Sequence, residues 1–287
     1  MNDQAQALRQ LIMTRGNTDT KATRILTVTS GKGGVGKSNF SLNFAMALKR
    51  RGHSVLVFDA DIGMANIDVL LGTPAQYNLF HLLKREKTIW DIIQTGPNEL
   101  PFIAGGSGFQ ELVRLDDEDI EYFAEQVGQL NGHFDYLLFD TGAGLSKETL
   151  RFITAAEETI VVTTPEPTSI TDAYALMKMV KTMGHDVPFR LVVNRVSDER
   201  EGLVTADNMR QVVQKYLAVD LPVLGFIPDD TQVTKAVKKQ TPLSLAFPQS
   251  AAMQGIDRIA ASYLREDRGP AQPAAGGFLQ RIRRLWS

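Results

Sequence analysis

The sequence predicts an α/β fold of three layers, with a mostly parallel central sheet and helices on both of its faces. Three stretches carry that reading. Residues 25–48 run from a β-branched apolar segment through a glycine-rich turn into apolar residues at helical spacing, which is strand, loop and helix. Residues 54–59 and 134–140 are apolar runs that end in Asp59 and Asp140, as strands buried on both faces do. Open parallel sheets bind ligands beyond the carboxyl ends of their strands, so the glycine-rich turn and both aspartates belong to one rim.

Composition narrows the function classes. The chain has 287 residues, which one α/β domain over residues 21–265 accounts for, flanked by an N-terminal helix and arm (1–20), a linker (266–277) and a terminal amphipathic helix (278–287). Against 31 lysines and arginines stand 33 acidic residues, a net charge of −2, so no global field argues for nucleic acid and no sequence-specific nucleic-acid partner is expected. The absence of cysteine excludes disulfides and cysteine-ligated iron–sulfur clusters. No apolar run approaches the ~20 residues of a membrane span, and the polar N-terminus lacks a signal core. The expectation is a cytoplasmic protein, reversibly peripheral on the inner face of the cell membrane.

Residues 3–12 read as a short helix. Asp3 is its N-cap, Gln6 completes a capping box, and Ala5, Leu8, Leu11 and Ile12 share a face beside Gln4 and Arg9. On pattern alone a frayed terminal helix docked on the domain is one of two open readings, the other being a functional segment.

The first core strand feeds Gly31, Lys32, Gly33, Gly34, Val35, Gly36, Lys37 and Ser38, which satisfy G-x-x-x-x-G-K-[ST]. Its glycines bring backbone N–H groups close to phosphate at a positively polarised helix N-terminus, where Asn39 follows. Lys37 would neutralise the terminal phosphates and Ser38 would offer its hydroxyl to Mg²⁺. Lys32 is a second lysine inside the loop and needs another job. This arrangement resembles the deviant Walker A motif of the MinD/ParA family of P-loop ATPases. The resemblance implies ATP or ADP and Mg²⁺ as cofactors, a homodimer formed with ATP, and a catalytic Lys32 that reaches the nucleotide of the opposing subunit.

Further along, the strand at 54–59 ends in Asp59-Ala60-Asp61, and residues 63–72 match the same family closely. One of the two aspartates could simply cap the turn at 64–68. By resemblance Asp61 belongs to switch I, as the catalytic base and a metal-site residue, with Asp59 in support. Residues 79–93 and 117–130 form two amphipathic patterns around a strand at 102–104. The glycine cluster from Gly105 to Gly108 has no Lys-Ser after it and reads as a turn. The run ending in Asp140 opens into Thr141-Gly142-Ala143-Gly144, a Walker B strand and switch II. Asp140 would hold the ion's bound water, and Gly142 would let the backbone approach the γ-phosphate.

Residues 159–165 form the next strand. Glu166 follows, and in the resembling segment it faces the ribose across the dimer, while Thr171 and Asp172 read as helix caps. Guanine-specific P-loop proteins need an aspartate three residues after the asparagine of the strand at 189–194, but that position is Ser197, so the base is adenine. Asn194 would contact its edge, with Arg195 beside it, and Pro228, Asp229 and Asp230 resemble the family segment that closes over the adenine. The helix at 232–239 carries Lys235, Lys238 and Lys239 on a solvated face.

Beyond the Gly- and Pro-rich linker, Phe278, Ile282, Leu285 and Trp286 share a helical face with Leu279 at its edge, and Arg281 and Arg284 line the other side. Such a basic amphipathic tail reads as binding an anionic membrane surface, or else as a terminal helix packed back on the domain. Asp-Gln-Ala-x-x-Leu-Arg ahead of a MinD-like domain resembles the activator segment of the FlhG family, also called YlxH or FleN. That resemblance implies control of flagellar number and placement, stimulation of the FlhF-type GTPase through Asp3, Gln4, Ala5, Leu8 and Arg9, and a flagellar C-ring or transcriptional-regulator partner. The rivals are a MinD-type cell-division regulator, which normally lacks the leading helix, and a ParA-type DNA-partitioning ATPase, which would need a basic surface.

Overall fold

The computed structural model describes residues 22–61, 66–105, 117–266 and 280–281. The expected helix at 3–12, residues 106–108 of the glycine cluster, residues 63–65 of the segment 63–72 and the apolar tail positions Phe278, Leu279, Ile282, Leu285 and Trp286 lie outside the described residues.

Strand and helix alternate as the apolar runs predict. In chain order the elements are β1 (Arg24–Ser30), α1 (Lys37–Arg50), β2 (Val55–Ala60), α2 (Ile67–Leu71), α3 (Leu79–Leu83), α4 (Ile89–Ile92) and β3 (Ile93–Thr95). A 3-10 turn (Pro97–Glu99) leads to β4 (Pro101–Ile103), α5 (Asp117–Gly128), β5 (Tyr136–Ala143), α6 (Lys147–Ala155), β6 (Glu158–Thr163) and α7 (Pro167–Thr182). The chain continues through β7 (Phe189–Val196), α8 (Glu199–Leu217), β8 (Val223–Pro228), α9 (Thr231–Lys238), α10 (Leu243–Ala246) and α11 (Ala251–Glu266).

The eight strands form one sheet in the order β3-β4-β2-β5-β1-β6-β7-β8. All neighbours are parallel except β3 and β4, an antiparallel pair at one edge. Side chains alternate across each strand. Leu26 and Val28 of β1 and Val55 and Val57 of β2 pack into the cluster shared with α1, α2 and α11. Ile25, Leu56, Phe58 and Phe139 point the other way, toward α3, α4, α5 and α6. Beside that second cluster, Val161, Leu191 and Val193 meet α7 and α8. Helices therefore cover both faces, which is the three-layer arrangement expected.

Three local readings change. The amphipathic pattern at 79–93 is two short helices and the edge strand. α3 stops at Lys84, Arg85 takes a left-handed φ of 59°, and Thr88 and Asp91 form a new capping box for α4. The spacing persists across the break because Leu79, Leu82, Ile89 and Ile92 all bury into one cluster. Thr171 and Asp172 are not caps. They lie inside α7, whose N-cap is Glu166, and the Thr171 hydroxyl donates back to the Pro167 carbonyl. Finally, α11 runs to Glu266, one residue past the expected end of the domain at 265, and there Glu266 pairs with Arg190.

Candidate nucleotide site

The loop between β1 and α1 is shaped by what packs on it. A Cβ on Gly31 would lie 2.1–2.4 Å from backbone atoms of Asp172 and Ala173, so only glycine lets the loop lie against α7. Gly36 has a φ of 91°, and its missing Cβ would fall 2.4 Å from Asn194 Nδ2. Asn194 donates through Nδ2 to the Val35 carbonyl at 2.7 Å and accepts the Arg195 N–H through Oδ1 at 2.9 Å. The residue expected on the adenine edge thus pins the loop from outside. α1 begins at Lys37 with no side-chain cap and no acidic residue in its first turn, so its leading N–H groups are open to an anion.

Beneath the loop sits a buried ionic cluster. Lys37 is 7 % exposed, and its Nζ lies 3.1 Å from Asp140 Oδ1 and 3.3 Å from Ser38 Oγ. Ser41 Oγ donates to the same Asp140 oxygen at 2.6 Å. Asp140 is fully buried, and its Oδ2 has no hydrogen-bond partner among the described residues. Asp59 lies beside it in register on β2. Its Oδ1 accepts the Asp61 N–H, and its Oδ2 accepts those of Asn66 and Ile67, so one carboxylate holds the backbone at 61 and at 66–67. Burial, and next the charge of Asp140, push the Asp59 carboxyl up to about 7 against those three bonds.

Two buried carboxylates, an orphaned oxygen and the Ser38 hydroxyl, facing one lysine, make a site short of positive charge. That donor set fits Mg²⁺, which keeps several waters and takes its other ligands from phosphate. Asp61 stands at the edge of this cluster, where a Cβ on Gly142 would come 3.4 Å from its Oδ1.

Two cavities meet over the loop. One of about 900 Å³ is lined by Gly33, Gly34, Lys37, Ser38, Asp61 and Gly142. The other, of about 660 Å³, shares Gly36, Asn39, Arg195 and Val237 with the first and reaches Glu166, Asn194, Pro228, Asp229 and Asp230. Together they offer a phosphate end and a base end. Asp230 lines the second cavity, but its two oxygens accept the N–H groups of Gln232 and Ala252, a helix-capping role.

Lys32 stands apart from the buried cluster. Its Nζ donates to Glu166 Oε2 at 2.9 Å and to Thr168 Oγ1 at 3.0 Å, and its side chain is 40 % exposed. That lysine holds the Glu166 carboxyl below its ordinary range. Sequence reasoning missed Ser41 and Thr168. Ser41 sits four residues after Lys37, one helical turn on, and that spacing was the available signal.

The profile of the CobQ/CobB/MinD/ParA nucleotide-binding domain matches residues 26–243. The chain belongs to this MinD/ParA family. Among its relatives, the flagellum site-determining protein YlxH of Helicobacter pylori is 37% identical over 266 residues, 91% of this chain and 90% of that protein. The antiactivator FleN of Pseudomonas aeruginosa is 36% identical over 237 residues, 83% of this chain and 85% of that protein. These likenesses place the chain in the FleN and YlxH branch of the family. Septum site-determining protein MinD of Pyrococcus horikoshii, solved with Mg-ADP, superposes with a TM-score of 0.71 at 25% identity, covering 87% of this chain and 99% of that one. As a MinD/ParA member with this loop, the protein is an ATPase. No described helix is long and apolar enough to cross a membrane.

Proposed function

We propose that this ATPase is a nucleotide-switched regulator of flagellar number and placement, dimerising with ATP and Mg²⁺ and binding the membrane reversibly. The observation that carries the reading is the pair of lysines in one loop, Lys37 buried on Asp140 and Lys32 outside it and partly exposed. One lysine serves the phosphates within the subunit, and the other is placed to reach a second subunit. The likeness to FleN and YlxH supports the flagellar output.

In this reading the loop from Gly31 to Ser38 binds the phosphates of ATP. Ser38, Asp61 and Asp140 hold Mg²⁺, which neutralises charge on the phosphates when bound. Asp61 orients the attacking water, and Lys32, released from Glu166, completes the partner's site. The adenine and ribose take the cavity lined by Asn39, Glu166, Arg195 and Pro228, with Asp229 and Asp230 at its wall. Residues 3–12, through Asp3, Gln4, Ala5, Leu8 and Arg9, act on an FlhF-type GTPase. Residues 278–286 dip Phe278, Leu279, Ile282, Leu285 and Trp286 into the lipid interface, and a C-ring or transcriptional partner reads the dimer.

A single short helix binds weakly, whereas two copies joined in a dimer gain roughly 10²-fold in avidity. Co-sedimentation with anionic vesicles should therefore require ATP, weaken with salt and vanish in Ile282→Glu. Equal sedimentation with ADP and ATP would overturn the membrane reading. A peptide of residues 1–20 should stimulate GTP hydrolysis by an FlhF-type GTPase, and no stimulation would remove that partner.

A further inference from the structure

Ser41 belongs to the buried ionic cluster, yet the function above gives it no task. It sits in α1 one helical turn after Lys37, so both side chains reach Asp140 from the same face of one helix. Ser41 is fully buried, and so are its neighbours Phe40, Leu42 and Phe44, which pack that stretch of α1 firmly.

The hydroxyl has two acceptors and one hydrogen. Its Oγ lies 3.1 Å from the Lys37 carbonyl, the bond a serine inside a helix ordinarily makes, and 2.6 Å from Asp140 Oδ1. The shorter contact has the length of a hydroxyl on an ionised carboxylate, and a charged acceptor makes the bond roughly twice as strong as a neutral one. The hydrogen therefore goes to Asp140.

An aspartate carboxylate turns in a broad, roughly two-fold torsion unless something holds it. Here Oδ1 accepts from both Ser41 and Lys37, whereas Oδ2 has no hydrogen-bond partner among the described residues. The carboxylate is pinned by one oxygen, and the other is kept free. The two pins differ in kind. The Lys37 ammonium is the charge that phosphates of a bound nucleotide would draw, and its Nζ already lies 3.3 Å from Ser38 Oγ in the loop. Ser41 is neutral and lies beneath the loop in the packed part of α1, so nothing in its bond calls on phosphate.

We propose that Ser41 is a positioning residue for Mg²⁺, its hydroxyl fixing the Asp140 carboxylate through Oδ1 so that Oδ2 stays available to the ion's bound water. The proposal rests on the Mg²⁺ reading above and adds to it the residue that keeps Asp140 in place once Lys37 turns to phosphate. Groups that hydrogen-bond to the residues of a metal site typically change metal affinity by about 10–100-fold when removed.

The test is a titration of the full chain with fluorescent ADP, first in EDTA and then across rising Mg²⁺. In Ser41→Ala the affinity in EDTA should be little changed, and the Mg²⁺ concentration that gives half of the Mg²⁺-dependent gain should rise roughly tenfold. Ser41→Cys keeps nearly the same volume but offers only a weak S–H donor, so it should shift the same way, and it carries the test should the alanine variant fail to fold. A wild-type Mg²⁺ midpoint in a folded Ser41→Ala would overturn the proposal. So would an equal loss of ADP affinity with and without Mg²⁺, which would assign Ser41 to the shape of the loop. A wild-type midpoint in Ser41→Cys beside a shifted one in Ser41→Ala would assign it to packing, with the same consequence. A wild type whose ADP binding ignores Mg²⁺ would instead remove the Mg²⁺ reading of the site itself, and the proposal with it.

Discussion

Lys32 is tied to Glu166, not to the buried carboxylates: its Nζ lies 2.9 Å from Glu166 Oε2, across the loop from the Lys37–Asp140 pair. The two lysines of one loop therefore occupy separate electrostatic environments. Lys32→Ala should leave ATP affinity of the monomer within a few-fold, because exposed ion pairs contribute little. It should abolish the ATP-dependent dimer and turnover. Fluorescent-nucleotide titration and light scattering separate the two effects, and loss of nucleotide binding would assign Lys32 to its own subunit's phosphates.

Lys37→Ala should lose nucleotide and stability together. Removing one partner of a buried pair typically costs about 3–5 kcal/mol. Here Asp59, whose carboxyl is already raised to about 7, can offset part of the loss by taking up a proton, so the low end applies, and the cost should be larger at pH 8 than at pH 5. Thermal melts at both pH values provide the check. A wild-type melting point at pH 8 would show that the lysine does not compensate the carboxylates.

The parts of this site that are local in sequence were legible in it. The loop, the strands ending in Asp59 and Asp140, and the glycine turn after β5 follow from runs of neighbouring residues. Contacts between distant residues were not. Ser41 donates to an aspartate 99 residues away, and Lys32 pairs 134 residues away, which no periodicity encodes. Asn194 carried a motif position that suggested base contact, yet its amide is engaged by the loop. In the tail, the amphipathic pattern put Arg281 on the side opposite Phe278 and Ile282. Whether that face meets water, lipid or the end of α6 depends on folding in three dimensions.

The ligand-free protein should lose stability as pH rises. Asp59 is held near 7 when folded and returns to about 3.8 when the chain unfolds. Between those values the folded state binds the extra proton, so the stability it contributes is complete below about 4 and is lost as pH rises through 7. A shift of this size corresponds to up to about 4 kcal/mol. Asp59→Asn should flatten this part of the melting-point profile, as should Mg²⁺ with nucleotide, by compensating the carboxylate. An unchanged slope in Asp59→Asn would place the titrating group elsewhere.

Gly142 sets the room available to Asp61. An added Cβ would sit 3.4 Å from Asp61 Oδ1 and 3.6 Å from Thr149 Oγ1, touching both without a severe overlap. Gly142→Ala should therefore fold and bind ATP, while holding the Asp61 carboxylate away from some of the positions it now reaches. Catalytic geometry is sensitive to displacements well under 1 Å, so turnover should fall roughly tenfold. Asp61→Ala removes the group itself and should cost about 10²–10⁴-fold, with an ATP-dependent dimer retained. If both substitutions act through one carboxylate, the double variant should be no slower than Asp61→Ala alone. Steady-state phosphate release across the three variants measures this, and multiplicative losses would show that Gly142 acts on the γ-phosphate independently of Asp61.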